Sequence, residues 1–346
     1  AAALTQARLR RRAVGKFGAD AGVMFFTGPG LEQATRAVVA ARRAQRLRAA
    51  GVGTVADLGC GIGADAIAFA RAGIRVHAVE LDPVTASMAV ANMAALGLAG
   101  LVDVHCGDAR DAALSDVDAV FCDPARRRGG RRVFDPAAFS PPWDFVAALG
   151  TQVPRTVLKL APGIDHARIP AGAEAEWVSA DGEVVEAAFW YGPLAQVPRR
   201  ATVLRGAAAA VLTGSGRRSA PVAGPRGYVY DADGAVVRAH LVAEFASTVD
   251  GVLGDPTIAY VYAAAAPDSP FARAFQIDET LPFSLKRLRA ALRDRGVGRV
   301  EIRKRGSALE PEWLRRQLRL AGPESATVVL TRVAGAPVAL ICRPVS

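Results

Sequence analysis

Apolar and polar positions along this 346-residue chain follow three successive patterns. The first is helical. Residues 4–16 read as one helix, and Leu31, Ala34, Val38, Ala41, Ala44 and Leu47 line one face of a second, predicted over 31–49 and stopped by Gly51. From Thr54 the pattern changes to short continuous apolar runs alternating with helical stretches. Runs opening at Thr54 and covering 74–79, 101–105, 118–122 and 156–160 have the length of buried parallel strands. Asp82 is suited to cap a helix with Pro83 in its first turn, and Gly97 closes that helix. Runs at 173–180 and 184–191 flank Asp181-Gly182, a strong hairpin turn. These seven strands, parallel first and ending in an antiparallel hairpin, predict an α/β domain over 51–213 behind a helical segment at 1–50. A Gly/Ser/Arg/Pro-rich stretch at 214–227 reads as a linker. Beyond it, predicted helices at 241–252, 284–295 and 310–320 and strands at 300–304, 327–332 and 338–342 make a small α+β module, residues 228–346.

Charge adds a second layer. The net +10 is concentrated at the ends: residues 1–50 carry ten Lys/Arg against two acids and residues 281–346 fourteen against five, whereas 51–280 carry nineteen against twenty-six. Such segregation suits a polyanion held by elements appended to an acidic domain. Cys60, Cys106, Cys122 and Cys342 lack paired spacing and are expected to be reduced and buried. His77, His105, His166 and His240 lack ligand spacing, so no metal is expected. No apolar stretch nears the ~18 residues of a membrane span, and no apolar core follows the arginine-rich start. The expectation is a cytoplasmic protein.

The candidate chemistry gathers at the strand ends. Gly59, Gly61 and Gly63 allow a tight strand-to-helix turn, and Glu80 ends the next apolar run, where a carboxylate can accept from ribose hydroxyls. Dinucleotide dehydrogenases use a similar turn, and Gly59-x-Gly61-x-x-Ala64 fits the permissive form of their fingerprint. Three further acids favour S-adenosylmethionine. Asp57 can meet a cationic amine, where a pyrophosphate would be repelled. Asp108, in Gly107-Asp108-Ala109, offers a carboxylate to an adenine amine, and Asp123-Pro124 follows the fourth strand.

Residues 54–124 resemble the motif series of class I S-adenosylmethionine-dependent methyltransferases, whose fold is a Rossmann-like seven-stranded sheet. The resemblance implies that Asp57 and the three glycines hold the methionine part, Glu80 and Leu81 the ribose side, and Asp108 and Ala109 the adenine. It also implies that Asp123-Pro124 faces the reacting atom. Phe25-Phe26-Thr27 resembles a segment that walls the cofactor pocket in cap-guanosine N2-methyltransferases, which implies a cofactor contact for Phe26 and Thr27. The flanks narrow the likeness. Lys16-Phe17-Gly18, Met24-Phe25-Phe26-Thr27, 31–35, Asp255-Pro256-Thr257-Ile258-Ala259-Tyr260 and Ile302-Arg303-Lys304-Arg305-Gly306 are similar to bacterial methyltransferases with a C-terminal THUMP-like domain. Those are regarded as RNA methyltransferases, which makes RNA, tRNA or rRNA, the expected partner.

At the reacting end, enzymes that methylate amines follow Asp/Asn-Pro with a second proline and an aromatic ring. This chain has Ala125-Arg126 instead, so a stacking ring would have to come from Phe134, Phe139 or Trp143. Asp-Pro-Ala-Arg also nears a pattern of pyrimidine-C5 enzymes, but these need a cysteine nucleophile, and only Cys122 is near. Arg126, Arg127, Arg128, Arg131 and Arg132 follow on the same loop and suit phosphate, as Lys304 and Arg305 do at a later strand end. The expected activity is methyl transfer to a guanine or adenine nitrogen of RNA. The alternatives are a small-molecule or protein substrate, or cofactor binding without catalysis.

Overall fold

The short apolar runs of the first half become strands β1 (Thr54–Leu58), β2 (Arg75–Glu80), β3 (Val102–Cys106), β4 (Ala119–Cys122), β5 (Thr156–Leu160), β6 (Glu174–Ala180) and β7 (Glu183–Trp190). The computed structural model describes residues 2–124, 127–128, 131–132 and 140–345. They divide into two compact units, Ala1–Ala180 with Val185–Pro198, and Asp181–Val184 with Arg199–Ser346.

In the first unit the strand order is β6-β7-β5-β4-β1-β2-β3. The first five strands run parallel, and β7 lies antiparallel to β5. Strands β4 and β5 are buried at every residue, which is why they read as unbroken apolar runs rather than alternating ones. Asp181 and Gly182 both take positive φ (52° and 85°), as the hairpin signal requires. This is the α/β fold that the pattern predicts.

The helices are α1 (Ala2–Phe17), α2 (Gly28–Gln33), α3 (Ala37–Ala49), α4 (Ala64–Arg71), α5 (Pro83–Ala95) and α6 (Trp143–Gln152). The helix expected over 31–49 is two helices, broken at Ala34-Thr35-Arg36. Two contacts explain the break. Thr35 leaves the helical path to donate to Asp65 Oδ2 at 2.6 Å. Lys16 Nζ donates to the carbonyls of Leu31, Glu32 and Ala34 at 2.8, 2.9 and 2.8 Å, capping the end of α2. The N-terminal segment shares the core of the sheet, since Leu9, Ala13, Phe17, Met24, Phe26 and Leu31 cluster with Val55, Phe69 and Phe121.

The second unit opens with an antiparallel pair, β8 (Arg199–Arg205) and β9 (Ala208–Gly214). There follow β10 (Tyr228–Ala232), helices α7 (Gly234–Arg238) and α8 (Val242–Thr248), β11 (Val252–Leu253), β12 (Tyr260–Ala263) and β13 (Ala272–Pro282). Then come α9 (Leu285–Asp294), β14 (Val297–Lys304), α10 (Pro311–Leu318), β15 (Glu324–Val333) and β16 (Ala336–Pro344). Its larger sheet has the order β11-β12-β10-β13-β16-β15-β14. The helix expected at 241–252 ends at Thr248, because Asp250 turns into the left-handed region (φ 48°) and Val252 begins a strand. Alternation along β15 serves both sheet faces: Val328 and Leu330 pack with Leu288, Leu292, Leu314 and Leu318, and Val329 packs with Tyr260, Tyr262 and Phe275.

Candidate active site

Strand β1 is bonded to β2 on one side and to β4 on the other, so the sheet reverses its direction of growth at β1. Ligands of open α/β sheets sit beyond the carboxyl ends of strands at such a point. The register pairs Leu58 with both Val79 and Cys122, bringing Gly59, Glu80 and Asp123 to one edge. The N–H groups of Gly59 and Cys60 donate to Val79 O at 2.9 and 3.0 Å. Gly59 has φ +83°, and a Cβ there would stand 2.9 Å from the Asp123 carbonyl oxygen, so any side chain would force apart the turn and the segment after β4. Glu80 ties the turn down. Its Oε2 accepts from Gly61 N–H and its Oε1 from Asp82 N–H, both at 2.9 Å, and each oxygen keeps a further lone pair.

Beneath the turn lies a group of charged side chains. Asp57 is 0 % exposed, and neither of its carboxylate oxygens has a partner among the described residues. Burial, reinforced by the charges of Asp65 and Asp123, raises its carboxyl well above the ordinary range, against the pull of Arg43 and Lys159. Arg43, buried on α3, bridges Asp65 of α4 and Glu186 of β7. Burial opposes its charge, yet these two carboxylates leave the guanidinium more basic than usual. Burial raises the Glu186 carboxyl in turn, more than Arg43 and Lys159 lower it. Lys159, at the end of β5, is ion-paired with Asp123. Burial disfavours the ammonium, but Asp123, with Asp65 and Glu186, outweighs it and holds Lys159 charged.

The remaining expected residues divide. Leu81 is 57 % exposed beside Glu80, an apolar surface at the edge of the turn. Asp108 accepts from Arg110 N–H at 2.9 Å and pairs with the Arg110 guanidinium at 2.7 Å, which lowers its carboxyl; Ala109 is buried. Phe26 is 1 % exposed and packs on Phe17, and Thr27 Oγ1 accepts from Gly30 N–H as the cap of α2. Both act first as packing and capping groups of the N-terminal segment. Pro124 is buried and Asp123 half-buried. Arg126, Phe134 and Phe139 lie outside the described residues, as does Ala125. Arg127–Arg128 and Arg131–Arg132 pair as two short antiparallel strands, with Arg127 opposite Arg132 and Arg128 opposite Arg131. Trp143 starts α6, half-buried, with the Arg168 guanidinium 5.4 Å from its ring centre. In the second unit Lys304 is paired with Glu310 (2.6 Å), and Arg305 with Asp231 (2.9 Å) and the Ala232 carbonyl (3.0 Å). Of the four cysteines expected to be buried, Cys106 is exposed, because β3 is the edge strand of its sheet.

Two residues escaped the sequence reading. Lys159 was legible only as a polar interruption of the run 156–160. Asn92, a polar residue among alanines of α5, is fully buried. It accepts from Phe25 N–H (2.7 Å) and donates to Phe25 O (3.1 Å) and Ile62 O (2.9 Å), clamping the N-terminal segment to the glycine turn.

Comparison with known proteins follows the same division. Residues 55–127 match a methyltransferase domain family, and residues 272–344 a THUMP domain-like family. Two uncharacterized S-adenosylmethionine-dependent methyltransferases of Mycobacterium tuberculosis, from strains CDC 1551 / Oshkosh and ATCC 25618 / H37Rv, are each 37% identical to the chain. Each alignment spans 356 positions and covers 97% of this chain and 95% of the relative. The chain belongs to the S-adenosylmethionine-dependent methyltransferases. A crystal structure of a Porphyromonas gingivalis W83 protein assigned as a methyltransferase shares the fold, with a TM-score of 0.80 at 24% identity, over 100% of this chain and 90% of that one.

The methyltransferase therefore uses S-adenosylmethionine, and the residues present fit that cofactor. Asp57 offers a buried carboxylate without a partner, as a bound ammonium would require. The space where a Gly61 Cβ would point is open, and the oxygens of Glu80 keep free lone pairs. Among the described residues no cluster of three or more His, Cys, Asp or Glu is placed to hold a metal, and no helix is long and apolar enough to cross a membrane.

Proposed function

We propose that the enzyme transfers methyl to a base nitrogen of RNA, tRNA or rRNA, with Asp123 and the Pro124 carbonyl receiving the reacting amine. The reading is supported chiefly by one conjunction: an Asp-Pro step leaves β4 against the glycine turn, in a chain whose second unit matches a THUMP domain-like family. The basic C-terminal residues agree with it.

Asp57 and the turn Gly59-Gly61-Gly63 would hold the methionine part of the cofactor, Glu80 and Leu81 the ribose side, and Asp108 and Ala109 the adenine. Asn92 keeps Phe26 and Thr27 beside that pocket through Phe25. When bound, the cofactor supplies a methyl group on a sulfonium, already activated as an electrophile. The protein's part is positioning. Lys159 occupies Asp123 Oδ2, which orients the carboxylate and leaves Oδ1 to accept an amine hydrogen. The Pro124 carbonyl accepts a second hydrogen, which aims the nitrogen lone pair. The proton released on transfer passes to Asp123 or water, since Lys159 is held protonated. Arg126, Arg127, Arg128 and Arg131 would meet substrate phosphates next to the transfer point.

Pyrimidine-C5 chemistry is disfavoured. Cys122 is fully buried, and burial, with the charges of Asp123 and Asp57, pushes its thiol well above normal, away from the thiolate a nucleophile needs. The test is mass-spectrometric comparison of RNA nucleosides from cells with and without the protein. The expected result is one methylated purine lost from tRNA or rRNA, restored by wild type and not by Asp123→Ala. Asp123→Ala should still bind cofactor but turn over on the order of 10²–10³ more slowly. Identical nucleoside profiles would refute the RNA reading.

A further inference from the structure

Strand β14, helix α10 and the turn after it enclose a concavity of ≈ 440 Å³ in the second unit, lined by Arg299, Arg315, Arg316 and Arg319. Two backbone irregularities put arginine there. The β14–β15 register shifts between Val297 and Arg299, and such a bulge re-aims the next side chain. Only glycine fits at its centre: a Cβ on Gly298 would stand 1.9 Å from the Gly322 carbonyl oxygen. The second is Arg319, the C-cap of α10, in the left-handed region at φ 48° and ψ 52°. Glycine is the usual residue at such a helix end, and a non-glycine residue there carries a conformational cost.

Three acids on β14, on α10 and between them are already engaged. Glu312 holds Arg315, Glu310 holds Lys304, and Glu301 holds Arg303. Arg299, Arg316 and Arg319 form no ion pair within 4.0 Å among the described residues, although the charge of Arg316 helps lower the Glu312 carboxyl, and all three are exposed. The free carbonyls at the end of α10 would normally repel an anion. Here Arg289 donates to Gln317 O at 2.5 Å and Arg293 to Arg319 O at 3.0 Å, which satisfies two of them and adds positive charge.

From this geometry we infer that Arg299, Arg316 and Arg319 form a phosphate-binding site for the RNA backbone. The inference rests on RNA as the substrate, and moves the second unit's phosphate contact away from Lys304 and Arg305, whose charges are paired. Guanidinium groups suit phosphodiesters because they donate two parallel hydrogen bonds. Three arginines without an ion pair around one concavity differ in this from a single solvated arginine.

The experiment is fluorescence anisotropy of labelled unfractionated tRNA against the full-length protein over a salt series. Wild type is compared with Arg299→Gln/Arg316→Gln/Arg319→Gly and with a control, Arg217→Gln/Arg218→Gln, that removes exposed charge from the linker. The triple variant should lower the log–log salt slope by about 2–3, at ~0.7–0.9 per lost contact, and the control by clearly less per charge removed. Arg319→Gly alone should melt no lower than wild type, since glycine relieves the left-handed backbone, while still weakening binding. Equal slopes for triple variant and wild type would overturn the site and leave RNA methylation, read by nucleoside analysis, standing. An equal loss per charge in the control would show diffuse electrostatics and overturn it too. A wild-type protein that binds no tRNA would overturn the site, while nucleoside analysis, which also reads rRNA, decides the RNA reading.

Discussion

Asp57→Asn isolates the unpartnered carboxylate under the glycine turn. In an unfolded chain an aspartate titrates near ~3.9. In the folded chain burial, then Asp65 and Asp123, raise Asp57 well above that value. The folded protein therefore keeps a proton that the unfolded chain gives up. Its contribution to stability is fully present below the unfolded value and is lost as pH rises toward the folded one. The limiting slope for one proton is about 1.4 kcal/mol per pH unit. For a unit of roughly 190 residues, about 2–4 °C per kcal/mol makes this ~3–6 °C of melting temperature per pH unit. Asparagine cannot titrate, so its melting curve lacks that slope. The assay is thermal unfolding of both proteins without cofactor from about pH 4.5 to about pH 8, read as the difference at each pH. The variant should gain on wild type as pH rises from the unfolded value toward the folded one. Saturating S-adenosylmethionine at roughly 100 Kd should stabilise wild type by about 2.7 kcal/mol and the variant far less. Parallel melting curves across the range would refute the raised carboxyl, and equal cofactor stabilisation would refute its part in binding.

Two other substitutions probe the clamp and the ion pair. Asn92→Ala strips partners from Phe25 N–H, Phe25 O and Ile62 O; it should cost about 1–3 kcal/mol and weaken cofactor affinity by calorimetry, whereas unchanged affinity would leave Asn92 purely structural. Lys159→Met leaves Asp123 without its cation. Because Asp123 is 27% exposed, the stability loss should be about 1–3 kcal/mol, below the ~3–5 kcal/mol of a fully buried broken pair. Turnover should fall on the order of 10²-fold, more than cofactor affinity does, and the reverse ranking would remove Lys159 from the positioning of Asp123.

What the sequence disclosed depended on the range of the interactions concerned. Strands β4 and β5 were legible because strands buried on both faces are unbroken apolar runs, and β6 and β7 because Asp181-Gly182 marks its own turn. The cap at Asp82 was legible for the same local reason, with Thr85 N–H donating to it at 2.8 Å. The break between α2 and α3 was not, because the groups that stabilise it, Asp65 and Lys16, lie outside its periodicity. Strand β13 hid among charges (Ala272–Pro282 reads ARAFQIDETLP), and β9 among alanines that favour no period. At the site, Asp57, Gly59, Glu80 and Asp123 could be marked by type and spacing. Lys159 and Asn92 could not, since each matters through a partner distant in the chain. Lys304 and Arg305 show the converse, basic in sequence but neutralised in space by Glu310 and Asp231.

The clamp made by Asn92 also bears on portability. The recognisable methyltransferase match begins at residue 55, yet Asn92 joins Phe25 to Ile62 of the turn, Gly30 lies against the Ile62 side chain, and Lys16 caps the end of α2 behind them. Transplanting the matched segment alone would leave behind the residues that pack against its glycine turn. The unit to move as one piece therefore runs from α1, because the turn and the segment before β1 share the Asn92 clamp.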